Sequence, residues 1–214
     1  MADNYLENKF DEFFGNGTRT VVKRVGHSLD ELLTKNRSTR GYDKKFVVNE
    51  DMLRRIVAVN KKVASARNQQ VLRFRLVTKG READIVNANI KMGAALPELH
   101  LPFPETEPEA FIIICTTAAE TKMVDIDLGI AAQSMLLKAV DMGLNGLCIG
   151  AFDKKTIMAE LHLDLEPILI LAIGKSIEKI QTVEIEETQS HAYYRENGIH
   201  YVPKIKDLIL TSNF

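Results

Sequence analysis

The chain has 214 residues and a mass of 24.0 kDa; 45% of its residues are apolar and 27% charged. That balance excludes a disordered or collagen-like chain and suits one large domain. Twenty-eight Lys and Arg against 29 Asp and Glu leave a net charge of −1, which calls for neither nucleic acid nor a membrane surface, and two cysteines are too few for a disulfide scaffold. The total hides an asymmetry. Residues 19–91 hold 18 Lys/Arg against 7 Asp/Glu, and residues 92–191 hold 6 against 16.

In chain order, the N-terminus lacks the basic start and apolar run of a secretory signal. Residues 4–14 read as a short helix with Leu6, Phe10, Phe13 and Phe14 on one side, broken by Gly15 and Gly17. Ser28 and Glu31 form a capping box for a helix to about Lys35. Asn49 caps the next, with Met52, Ile56, Val59 and Val63 at helical spacing. Leu72 to Thr78 alternates apolar and basic residues, the pattern of a half-buried strand, and residues 81–92 follow as a helix. Residues 93–108 hold four of the six prolines and predict a long connector, expected to form a pocket wall or lid around His100 and Phe103.

Phe111 to Thr116 is a continuous apolar strand. Asp125 to Met142 is a helix apolar almost all round, hence buried on most sides, and Gly143 ends it. Strands at Asn145–Ile149 and Pro167–Ile173 flank a short helix at Thr156–Leu161. Residues 187–214 read as polar turns. Buried strands with intervening helices imply a layered α/β or α+β core. Cys115 and Cys148 sit in apolar runs and are expected as core residues. Unpaired thiols and the absence of a spanning segment point to the cytoplasm.

Three constellations could carry chemistry. Arg37, Ser38 and Arg40 directly follow a helix; two guanidinium groups with hydroxyls between them can hold a phosphate and a sugar hydroxyl, the alternative being a solvated helix end. Ala64, Ser65 and Ala66 let backbone approach a flat ligand, and Asn68 and Gln70 can meet a ring edge with donors and acceptors, unless this is only a polar turn. Gly150 and Ala151 follow a strand and free backbone N–H groups near a helix start, or form an ordinary connection. The five histidines lack ligand spacing, and no Gly-rich phosphate loop or Ser nucleophile elbow is present.

In order and spacing these pieces resemble the flavin-dependent nitroreductase family. Ser38 and Arg40 match its Arg-x-Ser-x-Arg/Lys element, and Ser65, Asn68 and Gln70 match its Pro-Ser-x-x-Asn-x-Gln-Pro-Trp element. Asp127, Gly129, Ala132, Gln133, Leu136, Leu137, Ala139, Gly143 and Leu144 follow its central helix. Ile149 to Phe152 match the strand and turn after it, and Pro203-Lys204-Ile205-Lys206 resembles its closing element. Asn36 stands where the family often has Arg, Val63-Ala64 precede Ser65 in place of Pro, and Val71-Leu72 replace Pro-Trp.

The resemblance, over about residues 28–208, implies an α+β nitroreductase-like fold: a central, mostly antiparallel sheet flanked by helices, in a homodimer binding FMN at its interface. Residues 1–27 would be a helical extension and 28–214 the FMN-binding domain. Arg37, Ser38, Arg40, Lys204 and Lys206 would hold the phosphate, ribityl chain and a flavin carbonyl. Residues 64–68 would lie along the flavin edge, and Gly150 and Ala151 would offer N–H groups near N5. NADH or NADPH would deliver hydride to the flavin, and a nitro, quinone or enone acceptor would take it in a ping-pong cycle. No catalytic side chain and no metal are implied. The alternatives are an FMN-binding relative that removes halide reductively or fragments flavin without nicotinamide and, more remotely, a nucleic-acid or interaction module using the basic half.

Overall fold

Apolar runs with a two-residue period build the centre of the molecule, seen in a computed structural model that describes residues 26–93, 99 and 101–209. Strands β1 (Leu72–Val77), β2 (Phe111–Thr116), β3 (Asn145–Ile149) and β4 (Glu166–Gly174) form one sheet in the order β1-β2-β4-β3, every pair antiparallel. Alternation divides their side chains between two cores. Ile112, Ile114, Leu171 and Ile173 pack beneath helices α2 (Glu50–Val57) and α4 (Lys122–Asp141). Phe111, Ile113, Ile170 and Ala172 pack on the opposite face against α3 (Arg81–Asn89) and α5 (Lys154–Glu160). The result is helix, sheet and helix in three layers, with β2 and β4 buried on both faces.

Local chemistry sets the helix ends as the sequence predicts. The Ser28–Glu31 capping box opens α1 (Leu29–Lys35): Glu31 N–H donates to Ser28 Oγ at 3.2 Å and Ser28 N–H to Glu31 Oε2 at 3.0 Å. Met52 N–H donates to Asn49 Oδ1 at 3.0 Å at the start of α2, which tightens into a 3-10 turn over Ala58–Lys61. Helix α4 starts earlier than its apolar run suggests, because the Thr121 hydroxyl accepts from Val124 N–H. The helix expected over residues 4–14 lies outside the described residues.

Three expectations are corrected. The polar tail is not merely turns. Strands β5 (Lys179–Ile185), β6 (Tyr194–Glu196) and β7 (Ile199–Ile205) form a second sheet in the order β5-β7-β6, with β5 parallel and β6 antiparallel to β7. Asn197 and Gly198, both at positive φ, make the tight hairpin turn between β6 and β7. Cys115 is buried, but Cys148 is exposed, because β3 is an edge strand and alternation turns that one side chain outward. Helix α4 buries Val124, Ala131, Met135 and Ala139 within the chain and leaves Met123, Ile126 and Ile130 exposed.

Candidate functional site

The segment after α1 runs beside the outer edge of β3. Ser38 bridges Gly146 in parallel, and Thr39 N–H donates to Gly146 O at 3.2 Å. Asn145 stitches the entry: its Nδ2 donates to Lys35 O at 2.8 Å and its Oδ1 accepts from Arg37 N–H. Gly146 lets β3 pack tightly against β4 and α4, since a Cβ there would lie 2.6 Å from Ala172 O and from a Leu136 methyl. Arg37 is half-buried and donates to Leu33 O, while Arg40 donates to Ser38 O and lies 5.4 Å from the centre of the Tyr193 ring. Among the described residues neither guanidinium has a carboxylate partner. Two unneutralised guanidinium groups and the exposed Ser38 hydroxyl on one short segment make a site receptive to an anion.

Residues 64–70 form a turn entering β1 in which Arg67, Asn68 and Gln70 all hold positive φ. Such backbone costs roughly 1–3 kcal/mol at each residue and needs anchoring. The anchors are Asp127 on α4, whose buried Oδ1 accepts from Ala66 N–H at 2.8 Å, and Ser65 Oγ, which accepts from Gln70 N–H. Gln70 Nε2 donates to Asn68 Oδ1 at 3.0 Å, so the two amides the sequence singles out meet. Ala64, Ser65 and Gln70 also line a cleft of about 770 Å³ between α2 and edge strand β1, along with Arg54, Lys61 and Asp127.

Gly150 and Ala151 leave β3 exposed, with open space where a Gly150 side chain would be. The turn is held by Lys91 N–H donating to Ala151 O, by Asp153 N–H donating to Asn89 O, and by the Asp153 cap on Thr156. Lys204 is exposed near the end of β7, opposite Glu184, and Lys206 pairs with Glu186.

These groups fall into two sets. Residues 37–40, bridged to Gly146 at the start of β3, and residues 150–151, at its end, belong to one edge strand; residues 64–70 stand before β1. Residues 150–151 and 64–70 lie at the same end of the sheet, but β3 and β1 are its opposite edges. Three strand spacings, about 14 Å, separate them.

The sequence reading missed three residues that face Arg40. Glu178 is buried and accepts from Arg40 N–H at 2.5 Å and from the Thr39 hydroxyl at 3.1 Å, and it pairs with Arg195. His200 is 2% exposed, with no hydrogen-bond partner for either ring nitrogen among the described residues, and its ring packs against Tyr193. Burial and Arg195 hold its imidazole below the ordinary value. The Asn197-Gly198 pair, between Tyr193-Tyr194 and Ile199-His200-Tyr201-Val202, was the available signal for the hairpin that carries Arg195 and His200. The described part of the 93–108 connector lies against this side too: Thr106 O accepts from Tyr42 N–H, and Arg195 lies over Phe103. His100 is outside the described residues.

Comparison with solved structures returns the same fold. The chain is similar to a nitroreductase family protein of Clostridium difficile 630, at 22% identity, TM-score 0.56, covering 71% of this chain and 86% of that one. It is similar to a nitroreductase family protein of Streptococcus pneumoniae TIGR4, at 17% identity, TM-score 0.57, over 76% and 95%. It also resembles the FMN and NADPH-dependent nitroreductase NfnB of Sphigopyxis sp. strain HMH, at 20% identity, TM-score 0.57, over 71% and 89%. No curated protein matches. The Nitroreductase family model matches residues 33–175, from the end of α1 through the whole four-stranded sheet. A match over more than half of the sequence, on a fold those structures share, shows that this chain belongs to the nitroreductase family.

Proposed function

We propose that the chain is an FMN-dependent NAD(P)H oxidoreductase that reduces nitro, quinone or enone-type acceptors as a cytoplasmic homodimer. The observation that carries this reading is the pair of guanidinium groups, Arg37 and Arg40, on the segment beside β3 and inside the family-matched region, which have no carboxylate partner among the described residues. Their chemistry fits a phosphate monoester, and the open space over Gly150 fits a flat ring. Arg37, Ser38 and Arg40 would hold the phosphate and ribityl hydroxyls, with Lys204 and Lys206 adding charge. The backbone of Gly150 and Ala151 would hydrogen-bond the ring. Bound FMN supplies the redox chemistry, accepting hydride from a nicotinamide and passing it to an acceptor. The chain's own part is to bind, to orient and to shield.

A second copy completes the constellation. Ala64, Ser65, Ala66, Asn68 and Gln70 stand on the far edge of the sheet from Gly150, so a partner would bring its own turn to the β3 edge. Exposed Met123, Ile126 and Ile130, at three- and four-residue spacing on the N-terminal half of α4, give that partner an apolar face to cover. The free thiols of Cys115 and Cys148 suit a reducing compartment. Reconstitution tests the reading. The full chain passed over a sizing column with excess FMN should elute yellow, as a dimer, with one flavin per chain; a colourless peak would overturn it.

A further inference from the structure

We infer that Glu178 and Arg195 are positioning residues for the phosphate end of the cofactor site, fixing Arg40 and the small sheet in one frame. The inference rests on the FMN reading above and assigns a task to residues which that reading leaves unused.

The register of the small sheet puts the relevant side chains on one face. Arg195 lies directly opposite His200, and His200 directly opposite Ile180, in neighbouring strands. Partners across a pair share a face, and so do residues two apart along a strand. That face therefore carries Arg195, His200 and Lys204, with Glu178 two residues before Ile180. It is turned toward the Thr39–Arg40 backbone, because Glu178 reaches both residues.

Glu178 sits at the junction. One buried carboxylate takes the Arg40 N–H, the Thr39 hydroxyl and the Arg195 guanidinium. Burial works to raise its carboxyl; the Arg40 N–H, Arg195 and Thr39 outweigh it and hold it below the usual carboxylate range. It is thus charged at neutral pH and neutralises Arg195 rather than Arg40. Its hold on Arg40 is through the backbone, which leaves that guanidinium resting over Tyr193 with no carboxylate partner among the described residues. A carboxylate that fixes a cation's main chain while another arginine takes its charge orients the cation without quenching it.

Glu178→Gln keeps the shape but removes the charge. It leaves Arg195 unpaired against Arg40, so the segment shifts and the phosphate contact weakens. Riboflavin, which lacks the phosphate, is the control. Quenching of flavin fluorescence on titration with the full chain gives both dissociation constants. The expected result is about tenfold weaker FMN binding by Glu178→Gln with riboflavin affinity within about twofold of wild type, the size seen when a supporting shell is loosened. Arg195→Lys with Glu178 intact keeps the ion pair and should bind FMN within about threefold of wild type. If Glu178→Gln fails to fold, Arg195→Gln breaks the same ion pair from the other side and should lower FMN affinity about threefold or more, again sparing riboflavin. Equal weakening of both flavins, or no weakening of either in a folded variant, would overturn the inference. A wild-type chain that binds neither flavin would instead overturn the cofactor reading beneath it.

Discussion

Arg40 and Gly146 show how single residues set this site. Arg40 has its backbone fixed by a carboxylate and its side chain, among the described residues, without one, an arrangement suited to an anionic ligand. Replacing it with alanine should weaken FMN binding about tenfold or more, measured by fluorescence quenching, while thermal stability stays within the small range of surface changes. Gly146 is constrained sterically. Gly146→Ala would place a methyl 2.6 Å from a backbone carbonyl and from Leu136, so it should cost about 1–3 kcal/mol by denaturant unfolding. The motifs identify Ser38, Arg40, Asn68 and Gln70 in the sequence because their residue types and spacing are local. Glu178 is not legible in this way: its meaning comes from contacts 138 and 139 residues away.

At the scale of elements, legibility follows apolar content. Strands β2 and β4 are continuous apolar runs buried on both faces and declare themselves. Strands β5 and β7 are half polar, because one face of the small sheet meets solvent, and an unbroken polar-apolar mixture hides a strand among turns. Helix α4 is the instructive case. Its nearly all-round apolarity predicts burial on most sides, and a single chain covers only part of it. The uncovered Met123, Ile126 and Ile130 account for the difference if a second copy packs there. The double substitution Ile126→Glu and Ile130→Glu should then halve the mass seen by sedimentation equilibrium and, by parting the two edges of the sheet, abolish FMN retention.

The hairpin of β6 and β7 carries its own pH dependence. His200 is held below its ordinary value of 6.5 by burial, then by Arg195 and Arg40, with Glu178 acting in the opposite direction. The unfolded chain therefore takes up the proton at a higher pH than the folded chain. Stability is complete above 6.5 and is lost as pH falls from there toward the lowered folded value. Thermal midpoints measured from about pH 7 to about pH 5 should fall for the wild type and fall less for His200→Leu.

Across the whole molecule the charge asymmetry has a structural outlet. The basic first half supplies α1, α2, β1 and α3, and the acidic second half folds over it. Lys44 pairs with Glu107 and Glu109, and Lys79 with Glu109, so part of the imbalance cancels across the fold. Arg37 and Arg40 stay outside these pairs. What the sequence could not show was that one chain holds its predicted ligands on opposite edges of a single sheet; linear spacing carries no information about which edge a turn meets. On the proposed reading, that separation makes the assembly part of the function. The central claim, that this chain moves electrons from a nicotinamide through FMN, is tested most directly by anaerobic absorbance spectroscopy of the FMN-loaded chain. The flavin band at about 450 nm, a property of oxidised flavin, should bleach on addition of NADH or NADPH and return when a quinone or nitroaromatic acceptor is added. A flavin that stays bound and oxidised with both nicotinamides would contradict it.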